Sequence, residues 1–208
     1  MVFVREQPAN ISFLVNHKPG TPVHLTFQTV SALGPKYSEP AWVSYLVKAP
    51  NGKWVHTTQW QLPAHTKIDV TALEYDTGSP LRNEVWGRVS GVSGDAVMVR
   101  PNGEKHFRRV SVINSYAGNG VAHTFTVPTL GINVPLYGVS SDARNFCNAA
   151  PCHTNQAHNT IHFSFTTPGA GQYRFQCFIP CGAGFLDGNG GPMDTLGFMA
   201  GFLKVITQ

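Results

Sequence analysis

Charge is scarce in this chain. Only 12% of the residues are Asp, Glu, Lys or Arg, and only 11 are acidic, about half the charged share of an ordinary soluble domain. No carboxylate pair is placed for acid–base work. Gly-x-Ser-x-Gly and His-Glu-x-x-His are both absent, and no Cys–His arrangement has a clear orienting partner. An enzyme is therefore not expected. The densest basic run, Lys105-His106-Phe107-Arg108-Arg109, is short, so nucleic acid is not an expected partner. No apolar run is long enough to span a bilayer. No segment longer than a turn has a 3.6-residue period. The glycines of 182–191 are not followed by Lys-Ser or Lys-Thr and form no phosphate loop. The first residues lack the basic start and apolar centre of a signal peptide. Together with the close cysteine pairs, this leads us to expect an exported protein, periplasmic, cell-surface or secreted, whose leader or anchor has been removed. Any membrane contact would run through that missing anchor.

What the chain does contain is 21 Gly, 15 Pro and many short alternating runs. Residues 10–15, 23–30, 42–48, 54–62, 67–75, 86–92, 96–100, 107–114, 123–127, 160–167, 172–176 and 198–206 read as strands. In 23–30, Val23, Leu25 and Phe27 face one way and His24 the other. Ile161, Phe163 and Phe165 share an inward face. Pro50-Asn51-Gly52 and Asn102-Gly103 are hairpin turns, because Asn-Gly accepts the positive φ of a tight turn. Runs 86–92 and 96–100 are expected to pair. Many short strands separated by turn signals predict an all-β sandwich or barrel, with no linker dividing residues 1–208.

Four cysteines form two close pairs, Cys147 with Cys152 and Cys177 with Cys181. All four are disulfide candidates, and sequence leaves the connectivity open. Cys177 and Cys181 are also candidate metal ligands, and Met193 and Met199 follow them; thiolate and thioether together select soft metals such as copper. His153, His158 and His162 are nearer to surface histidines than to ligands, and Trp42, Trp54, Trp60 and Trp86 are expected to pack the sheets.

Two stretches carry a resemblance. His123-Thr-Phe-Thr-Val-Pro-Thr-Leu-Gly131 resembles the segment around the first copper ligand in the CuA domain of cytochrome c oxidase subunit II. Phe165 to Ala183, with Gln176-Cys177-Phe-Ile-Pro-Cys181-Gly-Ala, resembles the strand and loop that carry its bridging cysteines. The resemblance covers residues 121–206. It implies a cupredoxin-like Greek-key β-sandwich, with the metal loop between the last two strands and added hairpins within residues 1–120. It also implies roles for His123, Cys177 and Cys181 as metal ligands, and for Ile179 as the residue that offers a backbone carbonyl.

The family's second histidine falls on Phe185 and its methionine on Gly188, and no histidine follows Cys181. A copper site would have to be completed by Met193, Met199 or a histidine of the 153–162 region. The missing imidazole weighs toward a disulfide or a buried thiol pair at Cys177 and Cys181. The expectation is a protein without copper, in a binding or structural role, with a protein partner or self-association. The alternative is a copper protein with an altered ligand set, in electron transfer or copper handling.

Overall fold

The computed structural model describes residues 9–81, 83–114, 120–182 and 190–208. The first eight strands are β1 (Asn10–Ser12), β2 (Val23–Val30), β3 (Ser44–Lys48), β4 (Trp54–Val55), β5 (Gln59–Pro63), β6 (Lys67–Glu74), β7 (Val97–Arg100) and β8 (Arg108–Val110). They are followed by β9 (Val121–Val127), β10 (Ile132–Tyr137), β11 (Asn159–Thr166), β12 (Gly171–Gln176) and β13 (Ala200–Ile206). One sheet has six strands in the order β1-β5-β13-β12-β9-β10, and the other has seven in the order β4-β3-β2-β6-β11-β7-β8. β1–β5, β5–β13 and β2–β6 are parallel pairs and the rest are antiparallel. β9 and β10 are neighbours, β11 lies in the other sheet, and β12 returns beside β9. That is a Greek key folded across a sandwich, the all-β class expected from the sequence.

Alternation builds the core. Phe27, Trp60, Phe125 and Phe175 are fully buried between the sheets. Trp60 lies 5.6 Å from Phe27, 6.1 Å from Phe125 and 4.6 Å from Phe175, ring centre to ring centre. Gly201, opposite Phe175, has no room for a side chain: an added Cβ would sit 2.1 Å from the Thr58 carbonyl oxygen.

A second cluster covers the outer face at one end of the seven-stranded sheet. Leu33, Leu46, Leu73 and Tyr75 are buried there with Cys147 and Cys152. The two cysteines form a disulfide. Gln28 anchors their loop by accepting the Cys152 N–H at 2.7 Å. Cross-linking residues five apart removes about 2 kcal/mol of unfolded-chain entropy. We expect the Cys147→Ser/Cys152→Ser protein to lose roughly that much in urea unfolding; an unchanged midpoint would contradict it.

Three readings need correction. Residues 54–62 are two strands in different sheets, because the chain crosses the sandwich at 56–58. Residues 86–92 do not pair with 96–100. Asn83 accepts the Val85 N–H at 3.1 Å and starts a 3₁₀ turn over Glu84–Gly87, while β7 pairs with β8. β10 was not anticipated, since Pro135 interrupts its pattern; β10 is an edge strand, where a missing N–H costs little.

Candidate metal centre

The Greek key brings β9 and the end of β12 side by side. His123 lies on β9, whose seven residues are all buried. Cys177 directly follows β12. Its N–H donates to the Met199 carbonyl at 2.9 Å, which continues the β12–β13 register by one residue. Cys177 and Met199 are therefore opposed across the ladder, where paired side chains share a face, and both belong to the main core. The loop then tightens. Phe178 N–H donates to Thr124 Oγ1 at 2.9 Å, and Ile179 N–H points to Cys177 Sγ at 3.4 Å. The Phe178 ring stacks on Trp86 at 4.5 Å.

Among the described residues, His123, Cys177 and Cys181 are the one group of three or more His, Cys, Asp or Glu whose donor atoms lie within 4.8 Å of one another. Cys181 Sγ is 3.7 Å from Cys177 Sγ, and His123 Nδ1 is 3.8 Å from Cys177 Sγ. The two thiols are free, so the bridge considered from the sequence is not the arrangement here. All three side chains are buried. Metal bonds of about 2.0–2.3 Å to nitrogen and sulfur set the donors of a trigonal site about 3.5–4.0 Å apart, and both measured separations fall in that range. The ligand types and their spacing fit a soft ion.

Met193 is buried in the same core, but no backbone pairing places it opposite the thiols. His158 packs against Tyr75, and His162 stacks on Phe107 from β11 of the other sheet; neither reaches the centre. Phe185 and Gly188 lie outside the described residues.

The electrostatics are those of one shared charge. Burial opposes a Cys177 thiolate, but the Cys181 thiol donated to it and the His123 imidazole outweigh burial and hold its pKa well below the usual thiol range. Cys181 is pushed up by its hydrogen bond to Cys177 and by burial, and keeps its proton. Burial would also neutralise His123, yet Glu74, Asp76 and Cys177 outweigh it and raise its pKa well above the ordinary imidazole value. Asp76 is pushed up by burial, but His123 and the Thr77 N–H hold it below the usual carboxylate range.

Glu74 and Asp76 were read only as part of a strand and a turn. A signal for Glu74 was present: Ile68, Val70 and Ala72 set the inward parity of β6, and Glu74 continues it. Burial pushes the Glu74 pKa up from 4.5 to about 8. Between those values the folded protein keeps a proton that the unfolded chain has lost, so stability falls as pH rises. We expect this one group to cost metal-free protein on the order of 5 kcal/mol across that window and Glu74→Gln, an isostere of the protonated acid, to flatten its part of the profile. Parallel pH–stability curves for the two proteins would contradict this.

No family model matches the chain, and no curated relative matches it. Among solved structures it is similar to reduced rusticyanin at 1.9 Å resolution, with 16% identity, a TM-score of 0.35 and coverage of 95% of this chain and 84% of that one. A structure of the copper protein rusticyanin at 2.1 Å gives 17% identity, a TM-score of 0.34, and coverage of 95% and 82%. Rusticyanin from Thiobacillus ferrooxidans at 1.27 Å gives 16%, 0.33, and coverage of 95% and 82%. At these scores no ligand or residue role is carried over. The all-β sandwich stands on the strand order described above.

Proposed function

We propose that this chain binds a single copper ion, held as Cu(I), through His123 Nδ1 and the sulfurs of Cys177 and Cys181, with the Met199 thioether as a fourth donor. The observation that carries this reading is the buried, unbonded thiol pair with an imidazole nitrogen 3.8 Å from Cys177 Sγ. A soft donor set in a dry site favours the softer Cu(I) ion. A dinuclear centre like that of oxidase subunit II would need a second terminal imidazole, and the described residues supply none. Copper handling therefore fits better than rapid electron transfer. The chain's own residues would bind and exclude water, and Cys181 Sγ and His123 Nδ1 would each release a proton as the ion enters.

The Cys147–Cys152 disulfide supports an oxidising, extracytoplasmic setting. No helix among the described residues is long and apolar enough to cross a membrane. A protein partner that exchanges copper with the chain completes the proposal.

Anaerobic titration against a chromophoric Cu(I) chelator tests the reading. One Cu(I) withdrawn per chain, with protons released, is the expected result. A chain that leaves the chelator fully loaded would sink it and restore the metal-free structural role.

A further inference from the structure

The imidazole of His123 has two nitrogens, and they face different neighbours. Nδ1 lies 3.8 Å from Cys177 Sγ, and Nε2 lies 3.3 Å from Asp76 Oδ2. Asp76 is itself immobilised by the backbone around it. Its N–H donates to Glu74 Oε1 at 2.8 Å. Its Oδ1 accepts the Thr77 N–H at 2.7 Å, and its carbonyl accepts the Val139 N–H at 2.9 Å. Glu74 is anchored in turn by the Thr29 hydroxyl at 2.6 Å. A line of hydrogen bonds thus runs from β2 through β6 to β9 and ends with Nδ1 turned toward the thiols. Asp76 is not among the atoms that cluster as donors; it acts on the far edge of the ring.

We propose that Asp76 is the positioning residue of this centre: by holding Nε2–H on its carboxylate, it makes Nδ1, aimed at the thiols, the nitrogen that gives up its proton to the ion. The proposal rests on the copper reading above. Carboxylates that orient a metal-bound histidine through its second nitrogen commonly set affinity by 10–100-fold.

The geometry makes Asp76→Asn the sharp test. The amide has one oxygen and one NH₂ where the carboxylate has two oxygens. The Thr77 N–H claims the oxygen, so the NH₂ faces Nε2. Nε2 must then accept, and the ring proton moves to Nδ1, where it blocks the metal. Size and fold are kept, so a merely structural role for Asp76 would not move this proton.

Two measurements on the full chain read the outcome. In metal-free protein, at a pH alkaline enough to leave the ring neutral, proton–nitrogen NMR should place the His123 ring proton on Nε2 in the wild type and on Nδ1 in Asp76→Asn. Chelator competition should show Cu(I) affinity roughly 10–100-fold lower in Asp76→Asn, in protein that still melts cooperatively. Asp76→Glu, which restores two acceptor oxygens, should recover part of the loss. An Asn variant with wild-type affinity overturns the proposal, whichever nitrogen carries the proton. Weakened binding with the proton still on Nε2 overturns it as well. A wild type that binds no Cu(I) overturns the copper reading itself, which is a different failure.

Discussion

Cys177→Ser should abolish tight Cu(I) binding, lowering affinity at least a thousandfold, about 4 kcal/mol. Cys177 is the hub of the centre: its sulfur is 3.7 Å from Cys181 Sγ and 3.8 Å from His123 Nδ1. Its pKa is also held well below the usual thiol range, against the pull of burial, so it meets the metal as a thiolate, the form that binds. A serine hydroxyl keeps its proton and is a hard, weak donor. His123→Ala should also be severe, because it removes the one imidazole that clusters with the thiols among the described residues. Met199→Leu should cost less, about tenfold, as a long thioether contact would. Met193→Leu should cost nothing, since Met193 is not paired across from the thiols. Chelator competition on each variant, with a thermal melt to confirm folding, checks the series. A Cys177→Ser protein that still competes for Cu(I) at wild-type strength would contradict the assignment.

Trp60→Ala should cost about 3–5 kcal/mol of stability, a fall of roughly 10 °C in melting temperature for a chain of this size. Trp60 is fully buried at the point where both sheets meet. Its rings face Phe27, Phe125 and Phe175, and its Nε1–H donates to the Thr57 carbonyl at 2.9 Å. Removing it leaves a cavity that these three rigid aromatic neighbours cannot close. Trp60→Phe should cost less in volume but leaves the Thr57 carbonyl without its donor, for about 1–3 kcal/mol. β5 pairs with β13, the strand that follows Met199, so metal affinity should also fall in the alanine variant. Urea unfolding of the metal-free proteins separates the two effects. A loss below about 1 kcal/mol would mean that Trp60 does not brace the two sheets.

Much of this architecture could be read from local pattern. Period-2 alternation placed Ile161, Phe163 and Phe165 inward and His24 outward, because side-chain parity in a strand is a local property. Asn51-Gly52 announced the β3–β4 hairpin for the same reason: the turn's φ demand falls on its own residues. What pattern did not reveal was set at a distance. Nothing local in residues 54–62 shows that the chain changes sheets after Val55. Pro135 looks like a strand breaker until β10 proves to be an edge. At the centre, His123, Cys177 and Cys181 were legible as donors of the right softness and order. Their convergence depends on β12 returning beside β9. Asp76 looked like a turn residue because its role depends on a β6–β9 contact between opposite sheets. The copper proposal prefers Met199 to Met193 for its ladder position opposite Cys177.

The most direct test of the copper centre is X-ray absorption at the copper edge on protein loaded with one equivalent of Cu(I). The account predicts an edge of Cu(I) form and a first shell of two sulfurs and one imidazole nitrogen at about 2.0–2.3 Å, with a weaker, longer sulfur from Met199. A shell of nitrogen and oxygen alone would contradict it, since the ion would then be bound away from Cys177 and Cys181.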